Sequence, residues 1–308
     1  MKEINPREGL SPPQLSLPPL TGWLHALWAY VELSKPASII LLVFTGLASY
    51  VVASRGQVSA QSALLILLAG IAGSAGANAT TCYVDRDIDA IMKRTQRRPL
   101  PAGKIRPPER ALHYGLGMMA IALTLAALRG PLTFALMLLG LLDNVVVYSL
   151  LTKRHSRWNV LWGGISGGVP VAFGWSVATG SLNLTAVLMA ALVVLWIPNH
   201  IWNLAIVHTE DYRRVRVPML PVATDLASAL RCLASTVVLL YAVSLALYFL
   251  GHFGIVYLAV TAPLGLVLTI GNLYVALRPS KERAWLMFKL SSPYLLLLFA
   301  GMMMDVLL

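Results

Sequence analysis

Nine apolar runs of roughly 18 to 24 residues recur along the chain and constrain its fold more than any other feature. They lie near 38–55, 62–84, 111–128, 131–151, 159–179, 184–207, 228–250, 253–277 and 285–308. An α-helix rises about 1.5 Å per residue, so each run is long enough to cross a hydrocarbon core of about 30 Å. Strands of a membrane barrel would alternate with period two, and these runs do not. Only 12% of the residues are charged, about half the share of about 25% found in a soluble domain. The pattern predicts an all-α membrane protein with one transmembrane domain, residues 37–308, behind a polar, proline-rich N-terminal segment, residues 1–36. That segment has neither a charged-then-apolar leader nor a small-residue cleavage site. The two cysteines, Cys82 and Cys232, lie within or beside apolar runs, where neither a disulfide nor a thiolate metal site is expected.

The net charge of +11 raises the question of nucleic acid, and its distribution answers it. Basic residues fall almost wholly in alternate loops. One set holds Lys2, Arg7, Lys35, the stretch 93–110, Lys153, Arg154, Arg157, Arg213, Arg214, Arg216, Arg231, Arg278, Lys281, Arg283 and Lys289. The other offers little beyond Arg55 and Arg129. This is the positive-inside pattern, and it predicts a cytoplasmic N-terminus and, after nine crossings, a C-terminus outside. No nucleic-acid partner is needed to explain the charge, and the lipid bilayer is the expected surroundings.

Three carboxylates, Asp85, Asp87 and Asp89, stand where the second apolar run should be leaving the membrane. Hydrocarbon does not tolerate such a cluster unless it faces a protein-lined, water-filled cavity, so acids at a membrane edge mark function. Asp85 and Asp89 are four apart and share a helix face, with Thr81 and then Asn78 one and two turns deeper. Hard Mg²⁺ takes one or two carboxylates and leaves its other positions to water and phosphate oxygens. Arg94, Arg97, Arg98 and Lys104 follow in a loop kept extended by Pro99 and Pro101. Guanidinium and ammonium groups suit phosphate, so acids and bases together outline a diphosphate site. Taken alone, that loop or the flank Tyr148–Arg154 (Tyr148, Lys153, Arg154) would be only a topology signal.

A third polar cluster centres on Pro198, with Trp196, Asn199, His200 and Asn203 around it and Asp211 and Tyr212 beyond. Proline frees a backbone carbonyl inside a membrane helix, and such helices border cavities. His200 is either a packing hydrogen-bonder or part of a pocket for a flat, partly polar ligand. Asp211 would complete a second acidic site. Asp143, inside the fourth run, is expected to face the interior, paired with His200 or Arg129, about 15 Å deeper than Lys153 at an α-helical rise. The run Gly163–Pro170 is expected to serve close packing, with a kink at Pro170.

Asp85-Arg86-Asp87-Ile88-Asp89, Met92, Arg94-Thr95, Arg97-Arg98-Pro99-Leu100 and Gly103 resemble the first aspartate-rich motif of the UbiA superfamily of intramembrane prenyltransferases. Their wording is similar to its heme O synthase (protoheme IX farnesyltransferase) branch. Tyr148–Arg154 with Asn159 and Gly163-Gly164, then Trp196-x-Pro198-x-His200, and Asp211-Tyr212 leading to Pro218–Val222 agree in order. The resemblance implies a UbiA-type bundle of nine transmembrane helices around a central cavity in the plasma membrane. It implies Mg²⁺ as cofactor, farnesyl diphosphate as donor and heme b as acceptor, with a downstream heme-modifying enzyme as partner. Two positions depart from the family's wording: Thr81 stands where an asparagine is usual, and Asn199 where a second proline is usual.

On this reading Asp85, Asp89 and Asp211 hold the metal. Lys153 and Arg154 serve catalysis with the first two acids. Asn78, Thr81, Arg94, Arg97, Arg98, Lys104, Tyr148, His200, Asn203 and Tyr212 bind substrate. The competing enzyme reading is a UbiA-type transferase acting on an aromatic, quinone-precursor or lipid acceptor. A transporter predicts an inverted repeat that the sequence does not display, and a heme-binding assembly protein would not need the aspartate pair.

Overall fold

The computed structural model describes residues 19–308, and every regular element among them is a helix. The order is α1 (Pro19–Ser34), α2 (Pro36–Ala53), α3 (Ala60–Val84), the short α4 (Arg86–Ile91), α5 (Glu109–Ala127) and α6 (Pro131–Leu142). A π-helix over Asp143–Thr152 continues α6, and the short α7 (Asn159–Trp162) leads into α8 (Ile165–Thr179). Then come α9 (Leu184–Val207), the short α10 (Thr209–Arg214) and α11 (Leu220–Ala223), α12 (Leu226–Leu250), α13 (Ile255–Leu277) and α14 (Lys281–Leu307). Nine spans among the described residues are long and apolar enough to cross a membrane, and each overlays one of the nine runs. The chain is a multi-pass integral membrane protein.

Side-chain caps fix the starts of three of the long helices. Ser280 accepts from the Arg283 amide at 3.2 Å, so α14 begins at Lys281 rather than at the first apolar stretch. Asp225 and Asn183 do the same for α12 and α9. A side-chain acceptor at the N-cap satisfies an amide that the helix itself cannot.

Lipid is as apolar as leucine, so burying apolar surface does not drive these helices together; close backbone approach does. α2 and α8 cross where a Cβ on Gly174 would lie 1.9 Å from the Gly46 carbonyl oxygen. α3 and α5 cross where one on Gly76 would lie 2.7 Å from the Gly115 carbonyl oxygen. The largest apolar cluster joins α2, α8, α9, α12, α13 and α14 around Trp175, Leu192, Trp202, Leu233 and Phe299.

The N-terminal segment differs from the polar stretch expected. Its residues 1–18, with Lys2 and Arg7, lie outside the described residues. From Pro19 the chain is helical, and α1 exposes Trp23, Leu24, Leu27, Trp28 and Val31. Its opposite side buries Ala29 and Leu33 against Ala79, Cys82, Leu100 and Ile105. Period-3.6 spacing of Trp and Leu was present in the sequence but was masked by the prolines preceding it.

Candidate active site

α3 stops at Val84, yet the turn after it keeps helical register. The Asp85 amide bonds the Thr81 carbonyl and the Asp89 amide bonds the Asp85 carbonyl, both at 2.9 Å. Asp85 and Asp89 therefore keep the shared face that their spacing predicts, and both are buried. Each carboxylate meets a cation from elsewhere. The Lys153 ammonium donates to Asp85 Oδ2. Arg98 reaches both oxygens of Asp89 at 2.8 and 3.1 Å. Arg154 makes a two-bond fork to the exposed Asp87 at 2.6 and 2.7 Å and comes within 3.9 Å of Asp85 Oδ1. Charged, bidentate pairs of this kind are short and strong.

Lys153 arrives there because of the π-helix. Its amide bonds the Tyr148 carbonyl five residues back at 2.8 Å, the spacing that defines π winding and that concentrates at functional sites. The wider turn packs more residues per unit length, so Asp143 lies less deep below Lys153 than an α-helical rise gives. Asp143 pairs with neither His200 nor Arg129. Its Oδ2 accepts from the Ser166 amide at 2.7 Å and so caps the start of α8, while Arg129 donates to the Val177 carbonyl.

The loop after α4 closes the site from above. Asp211, on α10, accepts the backbone amides of Lys93 and Arg94, each at 3.2 Å. Thr95 Oγ1 donates to the Asp89 carbonyl at 3.0 Å. The two acidic motifs are thus joined through main chain. Among the described residues no three Asp, Glu, His or Cys side chains are gathered as a ready metal cage. Instead the carboxylates are neutralised by bases, and Asp85 Oδ1 is left buried without a hydrogen bond.

Lys35 joins this group unannounced by any motif. It links α1 to α2 in the left-handed region, φ 57°, a strained conformation for a non-glycine residue costing on the order of 1–3 kcal/mol. Its half-buried ammonium lies within electrostatic reach of Arg98, Lys153 and Asp89. Burial lowers its pKa, and Arg98 and Lys153 lower it further. Burial pulls Lys153 down too, but Tyr148 and the Asp85 and Asp89 carboxylates outweigh it and leave the ammonium above its ordinary value. The Arg154 fork holds Asp87 below the usual carboxylate range.

Behind the charges lies a cavity of about 580 Å³, within the range of about 300–1,000 Å³ typical of ligand sites. Its walls are mostly aliphatic or glycine, from α2, α3, α6, α8 and α9. None of the aspartates lines it. Asn78 and Tyr148 do, and they connect it to the charged group, since Lys153 sits 5.6 Å from the Tyr148 ring. Asn78 donates to the Ser34 carbonyl at 2.9 Å. His200 lines the cavity with Trp196 and Phe288.

Of the remaining expected residues, Arg94 and Tyr212 lie within electrostatic reach of Tyr148, and the others fall outside this assembly. Asn203 is fully buried and donates to the Asn199 carbonyl, Asn199 Oδ1 and Asn272 Oδ1, tying α9 to α13. Asn199 belongs to that layer and is absent from the cavity wall, so the departure from the family's second proline leaves the pocket's polarity alone. Thr81 spends its hydroxyl on the Asn78 carbonyl at 3.0 Å. Lys104 pairs with Glu32 of α1 at 2.6 Å, and Arg97 is exposed with no carboxylate partner among the described residues. Arg94 contributes its amide to Asp211, its side chain being exposed. Tyr212 packs in the main apolar cluster.

Comparison with known proteins agrees with this architecture. The profile of the UbiA prenyltransferase family matches residues 42–293. A protoheme IX farnesyltransferase from Desulforudis audaxviator is 50% identical over 92% of this chain and 90% of its own length. Protoheme IX farnesyltransferase 2 from Cenarchaeum symbiosum is 40% identical over 90% of this chain and 94% of its own. Among solved structures, one described as digeranylgeranylglyceryl phosphate synthase in membranes superposes with a TM-score of 0.77 at 21% identity. It covers 91% of this chain and 98% of that one. A homologue from Archaeoglobus fulgidus bound to GPP and Mg²⁺ gives 0.64 at 19% identity, over 89% and 99%.

Proposed function

Because this chain belongs to the UbiA prenyltransferase family, we propose that it transfers a farnesyl group from its diphosphate to a vinyl group of heme b, giving hydroxyethylfarnesyl heme. The observation that carries this reading is the junction of two environments. Buried carboxylates matched to bases lie beyond Tyr148, where Lys153 meets the wall of an apolar cavity that His200 also lines. The relatives of 40–50% identity are protoheme IX farnesyltransferases, which points to the same acceptor.

Mg²⁺ fits the residues present. Asp85 Oδ1 is a buried hard oxygen with no hydrogen bond, and Asp89 faces the same way one turn on. Asp85 and Asp89 would hold the ion, Asp211 joining them by giving up the Lys93 and Arg94 amides, and its contribution when bound would be to neutralise diphosphate oxygens as a Lewis acid. This chain's own groups do the rest. Lys153, Arg98 and Lys35 face the leaving diphosphate as its charge grows, and Arg154 supports them through Asp87. Preorganised cations in a site shielded from water stabilise such a transition state by several kcal/mol, about 3 for one donor. The aliphatic wall receives the farnesyl chain and keeps water from the allylic carbon until capture. As the C–O bond to diphosphate breaks, the allylic carbon bonds to the terminal vinyl carbon. Water then adds at the porphyrin-side carbon and loses a proton.

Positive-inside charge supports a cytoplasmic aspartate face and N-terminus, and the family a plasma-membrane location. A product that stays in the bilayer suits hand-over to a membrane enzyme that modifies heme further. The test is purified protein with Mg²⁺, heme b and diphosphates of several chain lengths, followed by mass spectrometry of the porphyrin. A gain of one farnesyl group and one hydroxyl is expected. Prenylation of an added aromatic or quinone-precursor acceptor, with heme unchanged, would overturn the assignment.

A further inference from the structure

Ser291, fully buried on α14, touches two rings of the cavity wall at once. Its carbonyl accepts from Trp196 Nε1 at 2.7 Å, and its Oγ lies 2.6 Å from His200 Nδ1. The same Oγ donates its proton to the Phe288 carbonyl at 2.6 Å. A serine hydroxyl has one proton and two lone pairs. With that proton committed to Phe288, the contact with His200 must be donated by the ring. Nδ1 therefore carries the imidazole hydrogen, and Nε2 keeps its lone pair.

The ring cannot easily turn away from this arrangement. Trp196 stacks on it at 4.8 Å and 23°, and Phe288 covers it at 4.4 Å. Trp285 stacks on Phe288 at 5.0 Å and 18°, which continues an aromatic wall along α14. His200 and Phe288 both line the cavity, and no group among the described residues is hydrogen-bonded to Nε2. Ring nitrogens that bind metals almost always have their second nitrogen tied in this way, which fixes tautomer and direction.

We propose that Ser291 is a positioning residue that presents the His200 Nε2 lone pair as a nitrogen ligand to the iron of the acceptor macrocycle. The proposal rests on heme being the acceptor, and it adds how heme is held: by iron rather than by a propionate. Imidazole is a common axial ligand of heme iron, and the rings stacked on either side of it hold its edge toward the cavity.

The test is titration of the full-length protein in detergent or nanodiscs with heme b. Absorption gives the affinity, and resonance Raman of the ferrous form gives the iron–imidazole stretching band. Wild type should show the band, and His200→Ala should lose it. Ser291→Ala should shift it and weaken heme binding roughly ten- to hundred-fold, with KM for farnesyl diphosphate unchanged. Ser291→Cys, similar in bulk but a weaker acceptor, should fall between. A band that persists in His200→Ala, or one unmoved together with affinity in Ser291→Ala, overturns the proposal. If wild type prenylates heme yet shows no such band, the positioning role fails while the reaction stands. If heme neither binds nor is modified, the acceptor assignment itself fails.

Discussion

Replacing Lys153 by methionine should make metal binding tighter and the reaction slower, an opposition that tests the resting pairing directly. Lys153 and Asp85 are buried, with side chains 15% and 6% exposed. Breaking such a pair strands a carboxylate at a cost of about 3–5 kcal/mol. Arg154, 3.9 Å from the other oxygen, brings the expected stability loss to the lower end of that range. In the wild type a metal ion arriving at Asp85 Oδ1 without diphosphate competes with the ammonium on Oδ2 for the charge of one carboxylate. Two unit charges 4 Å apart attract by about 4 kcal/mol at an effective dielectric of 20. Rehydration of the released ammonium returns part of this, leaving a competition of about 1.5–3 kcal/mol, or roughly ten- to hundred-fold in affinity. Lys153→Met should therefore bind Mn²⁺ that much more tightly in diphosphate-free buffer, by calorimetry or by loss of the free-ion spin-resonance signal. Its farnesyl transfer should fall about 10²–10³-fold, as for loss of one transition-state donor. Unchanged or weaker metal binding in the folded variant would refute the idea that ammonium and metal compete for Asp85.

Asp85→Ala and Asp89→Ala should each lower transfer below detection while the protein inserts and elutes as wild type; full activity in either purified variant would remove the metal assignment. Gly174→Ala places a methyl 1.9 Å from a main-chain oxygen of α2. It should cost about 1–3 kcal/mol or more, seen as a lower unfolding temperature in detergent, and an unchanged one would contradict the close crossing. Lys35 has a pKa lowered first by burial and then by Arg98 and Lys153. Its cation is present below that lowered pKa and lost as pH rises through it. Affinity for the diphosphate should fall over that rise, and Lys35→Arg, charged throughout, should flatten the fall. Identical pH profiles for the two proteins would exclude Lys35 from the site.

Much of the architecture was legible because hydrocarbon demands long apolar helices, and the spans follow those runs to within a few residues at their ends. The acid–base site was legible for a similar reason: Asp85 and Asp89 four apart, with bases following, have few uses at a membrane edge. What sequence could not give was which base meets which acid. Lys104 and Arg97 read as well as Arg98, yet only Arg98 reaches Asp89, because the path of the loop decides this. Lys35 resembled an ordinary topology residue until its left-handed backbone placed it beside the cluster. The π-helix left no sign in the periodicity, since its wider turn is a tertiary outcome rather than a local preference. Asn203 was assigned to the pocket for its polarity, but buried amides also satisfy one another, and here it bonds Asn199 and Asn272.

α1 carries one further implication. Its exposed tryptophan and leucine side meets whatever surrounds the protein, while its other edge holds Glu32 against Lys104 and the Ser34 carbonyl against Asn78 of the cavity wall. Lys35 is the next residue in the chain. The charged end of the cavity is therefore only one helix removed from the surroundings of the protein, and headgroup spacing or lateral tension should register in the rate of the reaction. Turnover measured in detergent and in bilayers of different composition reports on two different settings of the same machine.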